Sequence, residues 1–77
     1  MGMPMIYQFR IKEQLGMDLA AWFAPLEIVN EPGGEATLTG LVVDQAALHG
    51  LIDKVFNFNL TLLAVIQMGS DGEAKQT

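Results

Sequence analysis

Pro32-Gly33, inside "EPGG" at 31–34, separates two runs of strand-favouring residues at 26–31 and 35–43. Proline presets φ for the second position of a type II turn, and glycine supplies the positive φ needed at the third. The two runs are therefore expected to pair as an antiparallel hairpin. Ala36, Leu38, Gly40 and Val42 would share one face, and Thr37, Thr39 and Leu41 the other. A hairpin at the centre of so short a chain constrains whatever flanks it, because the flanks must cover one of its faces.

Upstream, "MIYQFRIK" (5–12) alternates cleanly. Tyr7, Phe9 and Ile11 point one way while Gln8, Arg10 and Lys12 point the other, the pattern of a half-buried strand. In "MDLAAWFAP" (17–25), Leu19, Trp22 and Phe23 share one helical face, Asp18 is the expected N-cap, and Pro25 stops the helix. A helix of two turns or less is not stable alone, so Trp22 or Phe23 must anchor it. Downstream, Asp44 is expected to cap a longer helix to about Asn57, with Leu48, Leu51, Ile52 and Val55 as its apolar stripe and Ala47 and Phe56 beside it. Asn57 or Asn59 is the left-handed terminator. "LTLLAVIQM" (60–68) is a last, almost wholly apolar strand.

The order is β-α-β-β-α-β, an α+β ferredoxin-like sandwich. Right-handed crossovers put both helices, the first very short, on one face of a four-stranded antiparallel sheet of order 4-1-3-2. Residues 1–68 form one α+β domain, and the polar "GSDGEAKQT" (69–77) is expected to be a disordered tail.

A chain of 77 residues buries only about 60–65% of its unfolded surface. Small chains offset this with disulfides, metals or self-association. There is no cysteine and one histidine, so disulfides and thiolate metal sites are excluded, and the 51% hydrophobic content points to a packed core or an oligomer. The net charge is −5, with Arg10, Lys12, Lys54 and Lys75 scattered. That charge opposes nucleic acid and anionic membranes as partners, since both require a basic surface. No apolar run reaches the roughly 20 residues of a membrane span, and "MGMPMIYQFR" lacks the layout of a secretion signal. A cytoplasmic location is expected, and no cofactor.

The arrangement leaves one sheet face uncovered. By alternation it carries Ile6, Gln8 and Arg10, then Val29, then Thr37, Thr39 and Leu41, and from the last strand Leu63 and Val65. Ile6, Val29, Leu41, Leu63 and Val65 are the candidate interface residues, because a contiguous apolar patch marks an interaction site. Gln8, Arg10, Thr37 and Thr39 are the candidate ligand contacts. RNA-recognition modules of this fold stack bases on aromatics of the open face. Here Tyr7 and Phe9 fall on the helix side.

"DQAALHGLID" (44–53) holds the only histidine. With Leu48 at the centre of the buried stripe, His49 lies about 100° away and Asp53 about 140°. They form an exposed i, i+4 pair. A metal needs three or four converging ligands and a hydrolytic triad needs a nucleophile; neither is evident. Gly50 falls about 200° from the stripe, in mid-helix, where glycine costs about 1 kcal/mol relative to alanine. Close approach of another chain is one explanation and tolerated drift another. "EPGGEAT" lacks the helix and Lys-Ser/Thr of a phosphate loop, and Glu27, Glu31 and Glu35 around it suit a solvated edge that discourages strand pairing.

"GLVVDQAALHGLIDKVFNFNLTLLAVIQ" resembles a group of short uncharacterised bacterial proteins, in which a strand leads into a "DQAALHGLL" helix, a turn and an "LPLLSV"-type strand. The "AAWF" segment and hairpin are also similar, so the resemblance spans about residues 5–68. Asn59 stands where those proteins tend to have glycine, and Thr61 where they often have proline. The first departure implies a left-handed residue at Asn59. The motif residues to test are Asp44, Gln45, His49 and Gly50.

Three functional readings follow. The favoured one is a non-enzymatic interaction module, a homodimer or a binder of another protein, acting through the open face or an edge strand. The alternative is a small-ligand-sensing regulatory domain with a site at a dimer seam lined by Gln8, Arg10, Thr37 and Thr39. The third, a small dimeric enzyme, requires His49, Arg10 or Tyr7 to converge, and alternation sends Tyr7 and Arg10 to opposite faces.

Overall fold

Alternation in the two central strands builds the core. In a computed structural model describing residues 4–70, strand β1 (Met5–Ile11), helix α1 (Met17–Trp22), strands β2 (Glu27–Asn30) and β3 (Ala36–Val42), helix α2 (Gln45–Asn57) and strand β4 (Leu62–Ser70) follow the expected order. One antiparallel sheet has the order β2-β3-β1-β4, the expected 4-1-3-2 read from its other edge. The fold is the ferredoxin-like α+β sandwich. Phe9 and Ile11 of β1 and Ala36, Leu38 and Val42 of β3 are buried, and Leu19, Leu48, Leu51 and Ile52 of the helices pack against them with buried Val55. Burying one such large side chain contributes about 1.5–3 kcal/mol.

The hairpin forms, but with a different turn. Gly34 N–H donates to Glu31 O at 3.0 Å and Glu31 N–H to Glu35 O at 2.6 Å. The positive φ falls on Gly34 (97°), not on Gly33. This is a three-residue loop, a type I turn followed by a left-handed glycine, which suits the twist of the flanking strands better than a type II turn.

Helix α1 starts from Gly16, without a side-chain cap; Asp18 lies inside the first turn. Of the two proposed anchors, Phe23 is buried, while Trp22 is 60% exposed. Both rings meet Phe58, with centroids 5.9 and 5.8 Å away. Phe58 takes the packing role that periodicity suggested for Phe56, which is 59% exposed.

Helix α2 begins and ends as its residues require. Asp44 Oδ1 accepts from Ala47 N–H at 2.8 Å. At the other end Asn59 has φ 63°. Leu60 N–H donates to Val55 O at 3.0 Å and Asn59 N–H to Phe56 O at 2.9 Å, the paired bonds of a Schellman termination. Leu60 and Val55 also share the core.

The register of β4 shifts twice against β1, between Ile6 and Tyr7 and between Arg10 and Ile11. Cross-strand partners share a face. Phe9 pairs with Val65 and Gln8 with Ile66, so Val65 lies on the helix side and Ile66 on the open face, the reverse of the expected placement. Each extra residue in a bulge moves every later side chain by half a period. The strand also runs on through Gly69 and Ser70, paired with Ile6 and Met5. The rest of the expected tail, 71–77, lies outside the described residues.

Candidate functional site

Three surfaces deserve comparison: the open sheet face, the outer edge of β4, and a cleft beside α2. On the open face, Ile6 pairs with Leu41, and Ile66 lies next along β4, opposite Gln8. These three side chains form the apolar end of the face. Val29 stands apart, on edge strand β2 opposite Thr37. Leu63 is the extra residue of the lower bulge, between Leu62 and Ala64. Of the five candidate interface residues, the structure thus brings Ile6 and Leu41 together, and Ile66 takes the place assigned to Val65.

The four candidate ligand contacts do meet. Gln8 pairs with Thr39 and Arg10 with Thr37, giving one polar block on the central strands. The Arg10 guanidinium is already engaged, with Nη2 donating to Glu35 Oε1 at 2.7 Å. The aromatic rings of β1, Tyr7 and Phe9, lie on the other side, 6.3 Å apart.

The edges are unlike. Strand β2 has four residues and carries Glu27, with Glu31 just beyond it. Strand β4 has nine, "LLAVIQMGS", none charged. Leu63, Val65, Ile66 and Met68 are all exposed there. Val65 and Ile66 point to opposite faces at this rim, so both faces of the edge are apolar.

Among the described residues, His49 meets one ionisable partner, Asp53. Its Nδ1 lies 3.4 Å from Asp53 Oδ2, and the side chain is 79% exposed. Tyr7 and Arg10 occupy opposite faces of β1, so these two side chains do not meet within one chain. Among the described residues there is no group of three or more His, Asp or Glu side chains able to hold a metal. No helix among them is long and apolar enough to cross a membrane.

The cleft was not legible from local pattern. It has a volume of about 320 Å³ and lies between the turn at 23–26, the end of β3 with Val43, and α2. Ala47, Gly50, Leu51 and Lys54 form its helical wall, and Phe23, Pro25 and Leu26 face them. Lys54 Nζ donates to Trp22 O at 3.0 Å, tying α2 to the end of α1. Gly50 is exposed and sits at the rim of this cleft.

The backbone N–H of Thr61 and then its hydroxyl, both donating to the Glu13 carboxylate, hold its pKa below the ordinary glutamate value. The role is structural: it joins the β1–α1 loop to the entry of β4.

No curated protein and no solved structure matches the chain. A family profile does match, over residues 6–66, from within β1 to within β4. That span reaches all six elements, and the chain belongs to the family DUF8691, a domain of unknown function.

Proposed function

We propose that the protein is a non-enzymatic interaction module that self-associates through β4. The observation that carries this reading is the edge itself: nine residues without a charge, apolar on both faces, with one row of backbone groups facing outward. Such an edge is a template for pairing, and proteins that remain single blunt it with charge, proline or brevity. Strand β2 has brevity and glutamate; β4 has only its two bulges. Between the bulges, Ala64–Gln67 keeps a regular register with β1. Two copies related by a two-fold axis can pair this stretch antiparallel, joining two sheets into one of eight strands. Ile66 with Ile6 and Leu41 would extend the apolar contact across the seam on the open face.

Sedimentation at micromolar concentration tests the proposal. The expected result is a dimer for the native chain and a monomer for Ile66→Lys, whose charge lies on the solvent side of the edge. A native monomer across that range, or a variant that still dimerises, overturns it. The polar block of Gln8, Arg10, Thr37 and Thr39 supports no more than a shallow ligand contact while Glu35 occupies Arg10.

A further inference from the structure

We infer that the cleft between α2 and the turn at 23–26 is a binding site for a small aliphatic carboxylate, with the hydrocarbon against Phe23, Leu26 and Leu51 and the carboxylate at Lys54. The inference is independent of dimerisation, because the cleft does not include β4.

The walls set the first part of the ligand class. Phe23, Pro25, Leu26, Ala47 and Leu51 offer an apolar lining, and the volume of about 320 Å³ sits at the small end of ligand clefts, which span about 300–1,000 Å³. One compact apolar body fits; a peptide helix does not.

Lys54 sets the second part. It is the single charged residue of the lining, half-buried, and its stem lies along the wall. Its ammonium makes one hydrogen bond, to Trp22 O, and no ion pair with a carboxylate among the described residues. An ammonium has three donors. Two are left for an anionic oxygen at the α1 end of the cleft, where a charge-assisted bond is stronger than a neutral one. The net charge of −5 gives no general attraction to anions, so preference for a carboxylate has to come from Lys54 itself.

Gly50 supplies an independent observation. A Cβ built there meets nothing within 4 Å, so no neighbour among the described residues requires glycine. Mid-helix glycine is disfavoured against alanine. It leaves the helical wall bare at the rim of the cleft, beside Ala47, Leu51 and Lys54.

Calorimetric titration of the full chain with octanoate, 1-octanol and octylamine tests this. Octanoate is expected to bind one to one, with 1-octanol weaker by about tenfold or more, in line with the loss of a hydrogen bond to a charged group. Octylamine is expected not to bind. Lys54→Met keeps the apolar stem and should weaken octanoate by a similar factor, while Gly50→Leu, at the rim of the cleft, should weaken binding by obstructing entry; thermal melts of both variants report whether they fold. Should Lys54→Met not fold, the octanoate-to-octanol ratio in the native chain decides the same point. No octanoate binding at millimolar concentration, equal binding of octanoate and octanol, or undiminished binding by folded Gly50→Leu overturns the inference.

Discussion

Glu13 grips Thr61 with both carboxylate oxygens: Oε1 accepts the backbone N–H and Oε2 the hydroxyl, each at 2.8 Å. Lys12 N–H donates to Thr61 O at 2.9 Å alongside them. The entry of β4 is thereby fixed to the end of β1, next to the Ile11–Leu62 pair.

This clip predicts an acid dependence with a definite sign. The folded pKa of Glu13 is lowered by the Thr61 donors. Its contribution is therefore complete above about pH 4.5, the ordinary value, and is lost as pH falls through the lowered one. Glu13→Gln should show a shallower loss of thermal stability on acidification than the native chain. Parallel curves would remove the clip from the account.

Gly40 is required by Leu26. A Cβ at position 40 would overlap Leu26 Cδ2 and lie 3.3 Å from its Cα. The side-chain tip can move but the backbone of the turn cannot move cheaply. Gly40→Ala is expected to cost about 1–3 kcal/mol, the usual range for overpacking, measured by urea denaturation. An unchanged midpoint would mean the turn at 23–26 is softer than drawn here.

Asn59 carries the left-handed residue that ends α2. A residue with a Cβ and no compensating side chain pays about 1–2 kcal/mol in that conformation. Asn59→Ala should lose about 1 kcal/mol, whereas Asn59→Gly should match or exceed the native chain in thermal melts. Equal losses in the two variants would contradict the Schellman geometry.

Phe23 and Trp22 are neighbours with opposite fates. Phe23→Ala empties a buried site and should cost about 3–5 kcal/mol, enough to threaten folding of so small a domain. Trp22→Ala should cost no more than about 1.5 kcal/mol, the worth of its contact with Phe58. Chemical denaturation of the pair checks the ranking.

His49 is expected to be dispensable for the fold. Its pairing with Asp53 is exposed, and surface substitutions of this kind stay within about 0.5 kcal/mol. A His49→Ala variant with a markedly altered melting temperature would show that the pair is more than a surface contact.

The parts legible in the sequence share one property: local chemistry with a definite phase. Phe9 and Ile11 alternate with charged residues, so their face was readable. Asp44 and Asn59 are residue types that bound a helix for local reasons, and both sit where that chemistry puts them. The apolar run of β4 carries no phase, since Leu63 and Val65 look the same as Leu62 and Ile66 to any alternation rule. Two bulges then decide the faces, and they arise from pairing with β1. In the turn, the Pro-Gly pair pointed to positive φ at Gly33, but a second glycine follows, and strand twist selected Gly34. Glu13 with Thr61, and Asn30 with Leu15 through two 2.9 Å hydrogen bonds, are contacts between segments far apart in the chain. The cleft is of the same kind: Pro25 and Gly50 become neighbours only after α1 and α2 have settled on the sheet.

The inequality of the two sheet margins puts a ceiling on growth. Any assembly joined through β4 uses up that margin in both copies and presents β2 at each end. There a newcomer finds four residues of backbone and the carboxylates of Glu27 and Glu31, too little to hold it and the wrong charge to attract it. In the proposed dimer, addition would therefore stop at a closed pair, and the apolar strand would not seed a fibre.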